Sequence, residues 1–211
     1  THEDFLYQRI GLGDQPFQTD IQIPKEKFTL INDTLLDKPK MIQEEFRTLH
    51  QVPVGISLME KRLIGLVGGE GKKGAVELMH TLVAGIAAGH CYTDVKMVFI
   101  YREENPEQMD DWECMKWFPH VWSEDKSTRY MASDELESSD IFFELSNIIR
   151  ERSQDDKKNF VKPHYVTFIS DPSILEGEIL AKYIYEAKPE YGTITFLMAE
   201  VLEQLPNECE E

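Results

Sequence analysis

The chain has 211 residues, of which 29% are charged and 41% hydrophobic, and its formal net charge is −17. A chain of this length buries about 70% of its unfolded surface, so we expect one large domain, or a domain with a small appendage. The excess of acidic side chains disfavours direct binding to nucleic acid or anionic lipid, because like charges repel. The longest apolar run, residues 82–88, is far shorter than the roughly 20 residues that cross a bilayer. No signal peptide opens the chain, so we expect a soluble piece. Its abrupt start and end lead us to expect that it is cut from something longer.

The cysteines indicate a reducing compartment. Cys91, Cys114 and Cys209 are odd in number and show no C-x-x-C spacing, which argues against a disulfide framework. His90 and His120 lie close to two of them in the sequence, but tetrahedral zinc sites normally show closely paired ligands. We therefore expect no metal site.

The first 60 residues differ from the rest and are predicted to form a β-rich and helical segment packed on the core. Residues 4–13 and 19–23 alternate apolar and polar side chains, which predicts a hairpin-like β region. Residues 41–50 predict a helix with one apolar face, and residues 52–58 predict a strand. The apolar face of that helix consists of Met41, Ile42, Phe46 and Leu49.

Residues 61–211 are predicted to form a second, α/β domain. Short β-branched or aromatic runs predict strands at 63–68, 95–101, 165–170 and 193–198. Apolar side chains recur at helical spacing between them, and Ser173 with Glu176 forms a capping-box pattern for a third helix. The charged stretch 150–162 is predicted to be an exposed loop. Strands that alternate with helices indicate a three-layer, mostly parallel sheet with helices on both faces. The helical residues are Val76, Met79, Val83, Ile86 and Ala87, then Leu136, Ile141, Leu145, Ile148 and Ile149.

A glycine-rich loop follows the first of these strands, within the sequence LIGLVGGEGKKGA of residues 63–75. Strand, glycine loop and helix is the layout of the P-loop, in which backbone amides, a lysine and a Ser/Thr hydroxyl bind phosphates and Mg²⁺. If Gly71 and Lys72 are taken as the Gly-Lys pair, Leu66 replaces the first glycine and Lys73 replaces the hydroxyl. In the second alignment, Gly69 and Gly74 are the two glycines.

That second alignment places Ala75 at the lysine position and Val76 at the hydroxyl position, so neither alignment keeps a magnesium ligand. The candidate phosphate-binding residues are Gly68, Gly69, Gly71, Lys72, Lys73 and Gly74.

Asp171 ends the strand predicted at 165–170, as the aspartate of a Walker B strand does. In an active ATPase this aspartate orders the Mg²⁺ shell, and an acidic neighbour polarises the attacking water. The neighbour here is Pro172, which can neither order the ligands of Mg²⁺ nor polarise a water molecule. The alternative interpretation is a strand-to-helix turn in which Asp171 is a local cap and Pro172 lies in the first turn.

Three tryptophans, Trp112, Trp117 and Trp122, occur at five-residue intervals. Tryptophan is enriched at binding hot spots, which makes these residues candidates for partner binding. Five-residue spacing cannot place all three on one helical face, so at least one is expected to pack inward against the sheet.

Several separated motifs resemble the membrane-anchored FtsK/SpoIIIE-type ATPases of type VII secretion systems, called EssC in Firmicutes and EccC in mycobacteria. They are DFLxxRIGxG from Asp4, DVKMVFI from Asp94, Trp112 with KWFPH from Lys116, GTITFL from Gly192 and LPNEC from Leu205. The resemblance covers nearly the whole chain. It implies a RecA/FtsK-like fold and a membrane-proximal, degenerate ATPase-like module at the cytoplasmic face of the bacterial membrane.

The resemblance also implies partners: other ATPase modules of the same protein, other membrane components of the secretion system, and WXG-type substrates, within a hexamer. The membrane would be reached only through segments outside this chain. The first hypothesis is a non-hydrolysing pseudo-ATPase without a cofactor, because several parts needed for phosphoryl transfer are absent together. The second is an atypical ATPase in which Lys72 or Lys73 grips phosphate and Asp171 holds Mg²⁺. The third is a recruitment module that uses the acidic surface or the tryptophan segment.

Overall fold

The computed structural model describes residues 4–19, 22–23, 37–102, 111–154 and 162–209. Its contacts divide the chain into two compact units. One consists of Thr1–Gln8 together with Ile56–Glu211, and the other of Arg9–Gly55.

The larger unit is built on a five-stranded parallel sheet with the order β3-β7-β6-β4-β5. The fold class predicted from the sequence is confirmed, since four of these strands match the predicted runs within two residues at each end. The two-residue strand β5 was not predicted. The strands are β3 (Leu63–Val67), β4 (Val95–Ile100), β5 (Met131–Ala132), β6 (His164–Ile169) and β7 (Thr193–Ala199).

Helices cover both faces of this sheet. Helix α2 (Lys73–Gly89) packs on one face, while α3 (Glu135–Gln154) and α4 (Ile179–Glu186) pack on the other. The inner strands β4, β6 and β7 are buried on both faces. For this reason their sequences are nearly continuous apolar runs.

A row of three phenylalanines crosses the face beneath α2. Phe99, Phe168 and Phe196 are register partners on β4, β6 and β7. Their ring centroids lie 5.3 Å and 4.9 Å apart, and the rings are nearly parallel. Cross-strand pairs of this kind stabilise a sheet and fix its register. The row therefore helps to hold the ends of β6 and β7 level with each other.

The smaller unit contains most of β1 (Tyr7–Pro16) and β2 (Thr48–Ser57), which pair in a two-stranded sheet, and helix α1 (Lys38–Glu45). The predicted hairpin is wrong: β1 pairs with β2, and the described residues of 19–23 form no strand. The helix predicted for 41–50 ends early, because β2 already begins at Thr48. No residue of α1 is buried, and the side chains of Met41 and Phe46 are 68% and 51% exposed.

Two further predictions are corrected in the larger unit. The charged stretch 150–162 is helical as far as Gln154, and residues 155–161 lie outside the described residues. The guanidinium of Arg152 anchors this helix end by donating to the carbonyl oxygens of Tyr191 and Pro163, both at 2.8 Å. The capping box at Ser173 is also wrong, since residues Pro172–Leu175 form a single 3-10 turn and α4 begins at Ile179.

Candidate functional site

Three parallel strands end side by side at one edge of the sheet. β3 runs into the glycine loop, residues 68–74, and β6 runs into Ser170 and Asp171. β7 lies between them and runs into Glu200. In parallel α/β sheets, ligands bind beyond the carboxyl ends of the strands. The structure thus brings the predicted loop and Asp171 together and adds Glu200, which no local sequence pattern marks.

The glycine loop is folded tightly on itself. A Cβ atom at Gly68 would lie 2.6 Å from both the amide nitrogen of Ala75 and the carbonyl oxygen of Lys72, so only glycine fits there. Gly69 and Gly71 have φ values of 73° and 67°, in the left-handed region that glycine adopts freely. These glycines let the chain turn sharply from the end of β3 into α2.

Most of the loop's amides donate inside the protein. The amide of Gly68 donates to the carbonyl oxygen of Ala199 (2.9 Å), Lys72 to Gly69 (2.9 Å), and Gly74 to Gly68 (3.2 Å). In a phosphate-binding loop, such amides converge on the phosphate oxygens. Here they close the loop instead.

The amide of Gly71 has an anionic partner within the chain. It donates to Oε1 of Glu200 at 2.8 Å. The glutamate is held by the following turn, because Oε1 of Gln204 accepts from the amides of Glu200 (2.9 Å) and Val201 (3.4 Å). A carboxylate therefore lies at the loop, where a phosphate-binding loop would hold an anion.

Lys72 lies immediately before α2 and points across the strand ends. Its ammonium nitrogen lies 2.8 Å from Oδ2 of Asp171 and 2.8 Å from the carbonyl oxygen of Ser170. The side chains of Lys72 and Asp171 are only 19% and 30% exposed. Lys73, by contrast, is exposed, and its side chain contacts no ionic or hydrogen-bond partner among the described residues.

Both carboxylate oxygens of Asp171 accept hydrogen bonds. Its Oδ1 accepts from the amide of Ser173 (2.9 Å) and from the Ser173 hydroxyl (2.6 Å), while Oδ2 accepts from Lys72. Burial alone would raise the pKa of Asp171, but these hydrogen bonds outweigh it and hold the pKa below its ordinary value. The cap predicted for Asp171, with Pro172 in the first turn, is confirmed.

The space between these groups is small. A cavity of about 60 Å³ lies among Lys72, Glu200, Arg102 and Trp112. Pockets that take small molecules measure about 300–1,000 Å³. In this conformation the cavity has room for a few water molecules but not for a nucleotide.

The three tryptophans have different environments. Trp112 is buried and stacks on Tyr101, with ring centroids 5.1 Å apart, which confirms that at least one of the three packs inward. Trp117 is 80% exposed. Trp122 is half-buried beneath the guanidinium of Arg129, whose Cζ lies 4.5 Å from the ring centroid.

The described residues form neither a metal centre nor a membrane-spanning helix. Among them, no group of three or more His, Cys, Asp or Glu side chains is placed to hold a metal ion. None of the helices formed by these residues combines the length and apolar character needed to cross a membrane.

The fold is that of a P-loop ATPase domain, and comparison with solved structures supports this. EssC (ATPases 2 and 3) from Geobacillus thermodenitrificans superposes with a TM-score of 0.62 at 12% identity, over 96% of this chain and 34% of that one. No family model matches the chain.

Sequence comparison finds relatives that match nearly the whole chain. It is 28% identical over 207 residues to the ESX secretion system protein EccC of Geobacillus thermodenitrificans, covering 96% of this chain and 14% of EccC. It is also 28% identical over 212 residues to the ESX secretion system protein YukB of Bacillus subtilis, covering 96% of this chain and 13% of YukB. The chain is thus a relative of the type VII secretion proteins EccC, YukB and EssC, and the resemblance drawn from its motifs is confirmed. It spans about a seventh of the length of these relatives.

Proposed function

We propose that the chain is a non-hydrolysing, P-loop-like module of a type VII secretion ATPase. It couples or regulates the membrane channel and the downstream ATPase modules during the export of WXG-type proteins. Its similarity to the secretion proteins supports the setting, and the interactions within the glycine loop support the absence of hydrolysis.

The observation that carries the proposal is the pairing of Lys72 with Asp171. In P-loop enzymes the lysine cradles the β- and γ-phosphates, and the Walker B aspartate helps to hold Mg²⁺. Here these two groups bind each other, and Ser173 occupies the remaining oxygen of Asp171. Neither alignment of the loop supplies the hydroxyl for Mg²⁺, since Lys73 or Val76 stands in its place.

Glu200 adds an electrostatic obstacle. Its carboxylate accepts from the Gly71 amide, so a phosphate entering the loop would meet a negative charge at contact distance. Two unit charges 4 Å apart interact by about 4 kcal/mol at an effective dielectric constant of 20. Binding of Mg-ATP would therefore require the loop to expel Glu200 and to break the Lys72–Asp171 pair.

The similarity to secretion proteins supports a proposal for the wider setting. We place the module at the cytoplasmic face of the cell membrane, in a hexamer, beside other ATPase modules of the same protein and other membrane components of the system. WXG-type proteins are the substrates of the whole assembly in this proposal. Nucleic acid is not a partner, because the chain carries a net charge of −17.

The second candidate is an atypical ATPase. It is favoured by one observation: Lys72, Asp171 and Arg102 already surround a single cavity or lie beside it, at the carboxyl ends of the strands. If a nucleotide opened the loop, the ammonium group of Lys72, the carboxylate of Asp171 and the guanidinium of Arg102 would lie close enough to bind it.

Phosphate release from Mg-ATP tests the proposal. The purified chain, Lys72→Met and Asp171→Asn are compared, with Lys73→Met as the control, because Lys73 is exposed and pairs with none of the residues that the structure describes. We expect no release above background in any of them. Turnover by the unmodified chain that Lys72→Met abolishes and Lys73→Met leaves intact would establish the atypical ATPase instead.

A further inference from the structure

A second concavity lies at the opposite end of α2 from the glycine loop. It has a volume of about 670 Å³ and is lined by residues of the segment 4–8, the end of α2, the turn 90–94 and Lys162. We call it the Cys91 cleft. All of these residues belong to the larger unit. The volume falls in the range of pockets that bind small molecules, about 300–1,000 Å³.

The cleft contains a buried carboxamide that is available to a ligand. The side chain of Gln8 lines the cleft, although Gln8 is only 5% exposed. Its Oε1 lies against Gly85, where a Cβ atom would be 2.5 Å away. Neither polar atom of this carboxamide has a hydrogen-bond partner among the described residues, and neither is fully enclosed. A buried amide without partners costs free energy, so a ligand that offers both a donor and an acceptor would be bound favourably here.

The thiol of Cys91 lines the same cleft and is exposed. Its Sγ accepts from the Thr93 hydroxyl at 3.1 Å. This hydrogen bond, followed by that from the Thr93 amide, lowers the pKa of the Cys91 thiol and outweighs the charge of Asp94. Burial instead raises the pKa of Cys114, and it raises the pKa of Cys209 to about 11. Since the thiolate is the nucleophilic form, Cys91 is the most reactive of the three cysteines.

Opposite charges stand side by side in the cleft. The ammonium nitrogen of Lys162 lies 2.7 Å from Oδ1 of Asp94, and these side chains are 42% and 34% exposed. A pair that solvent reaches can bind both the carboxylate and the amino group of one amino-acid-like molecule. The Gln8 carboxamide matches the donor and acceptor of a peptide bond. Together these groups fit a small peptide-like zwitterion.

We propose that Cys91 is a modification site that forms a mixed disulfide with a small peptide-like disulfide bound in the cleft. The Cys91 thiolate attacks one sulfur of the ligand's disulfide, and a new S–S bond forms as the old one breaks. The other half leaves as a thiolate and takes a proton from water, so the Cys91 sulfur is oxidised and the leaving half is reduced. The bound half pairs its amide with Gln8 and its charged groups with Lys162 and Asp94. In a reducing compartment the step occurs when such disulfides accumulate, and free thiol reverses it.

Mass spectrometry of the modified chain tests this assignment. The probe is the disulfide of the dipeptide Cys-Gly, in which each half carries an amide bond, an amino group and a carboxylate. The comparison reagent, hydroxyethyl disulfide, has none of these groups. Rates at Cys91, Cys114 and Cys209 are read from peptide masses at neutral pH. We expect the dipeptide disulfide to modify Cys91 at least about tenfold faster than either other cysteine, because the rate follows the thiolate fraction and access to the sulfur.

Matched variants separate the thiol from the carboxamide. Thr93→Val removes the hydroxyl donor to Cys91 and should slow both reagents about threefold, since higher nucleophilicity only partly offsets a smaller thiolate fraction. Gln8→Leu should slow the dipeptide disulfide about fivefold and hydroxyethyl disulfide less than about twofold, because only the dipeptide pairs with the carboxamide. The controls Thr81→Val and Gln154→Leu remove an exposed hydroxyl and an exposed carboxamide outside the cleft. Neither control should change a rate by more than about twofold.

Two results would overturn the proposal. One is modification of Cys114 as fast as that of Cys91, because both thiols are exposed and the reaction would then follow exposure alone. The other is a ratio of dipeptide to hydroxyethyl rates that is the same at Cys91 as at Cys114, because the cleft would then not bind the peptide part. Both are measured on the chain without substitutions, so they decide the proposal even where Gln8→Leu lowers stability.

Discussion

The ammonium nitrogen of Lys72 lies 2.8 Å from Oδ2 of Asp171, although the two residues are 99 positions apart in the chain. One comes from the loop after β3 and the other from the end of β6, with β7 between them. This single contact joins the glycine loop to the residue that follows β6. Under the proposed function, the lysine and the aspartate that a P-loop enzyme uses for phosphate and Mg²⁺ are engaged with each other.

Removing the Lys72 ammonium group should destabilise the chain. In Lys72→Met, the partly buried carboxylate of Asp171 loses its charged donor, and we expect the free energy of unfolding to fall by about 1–3 kcal/mol. Lys73→Met, at the adjacent exposed position, should change it by less than about 0.5 kcal/mol. Urea unfolding measures both, and equal effects of the two substitutions would contradict the pairing.

The shape of the glycine loop predicts a contrast between two glycines. Gly68→Ala places a methyl group 2.6 Å from backbone atoms of Lys72 and Ala75, so we expect a loss of more than about 2 kcal/mol. Gly89→Ala, in the last position of α2, meets no atom within 4 Å and should stabilise the chain by up to about 1 kcal/mol. Thermal unfolding distinguishes them, and a neutral Gly68→Ala would mean that the loop is looser than described.

Substitutions of the buried Trp112 and of the exposed Trp117 should differ in their effect on the free energy of unfolding. Trp112→Ala empties a buried site beside Tyr101 and Phe99, and we expect a loss of about 3–5 kcal/mol. Trp117→Ala should cost less than about 0.5 kcal/mol, because that side chain is 80% exposed. Chemical denaturation followed by circular dichroism measures both values. A large loss in Trp117→Ala would show that its ring is covered in solution.

His164 should make stability depend on pH. Burial, followed by the charges of Arg62, Arg152 and Lys162, lowers its pKa from 6.5 to about 4. Between these values the unfolded chain binds a proton that the folded chain does not. The contribution of neutral His164 to the free energy of unfolding is therefore complete above pH 6.5. It falls as the pH drops toward 4, by at most about 1.4 kcal/mol per pH unit.

His164→Leu isolates this effect from the carboxylates that also titrate at low pH. The unfolding free energy of the variant should depend less steeply on pH over this window than that of the unmodified chain. Part of the slope should remain, because burial also lowers the pKa of His120. Identical slopes would show that His164 ionises in the folded state.

The sequence was sufficient for the central sheet and for the main parts of the candidate site. The inner strands are buried on both faces, so each is a continuous apolar run that is recognisable by itself. The glycine loop and Asp171 were recognisable for the same reason, since each directly follows such a run. The parallel arrangement then places them at one edge of the sheet without further information.

What the sequence could not supply depends on contacts between distant residues. Glu200 reaches Gly71 across 129 positions, and nothing near either residue marks the pair. β1 pairs with β2 rather than with the alternating residues nearest to it, because alternation identifies a strand but not its partner. Strand β5 has two residues, too few for any periodicity.

Calorimetric titration of the chain with Mg-ATP tests the central claim most directly, with Lys72→Met and Lys73→Met titrated in parallel. If Glu200 and Asp171 keep the glycine loop closed, neither the unmodified chain nor either variant gives a saturable heat of binding up to millimolar nucleotide. A stoichiometric binding isotherm for the unmodified chain that Lys73→Met keeps and Lys72→Met loses would contradict the account, since Lys72 would then leave Asp171 to bind phosphate.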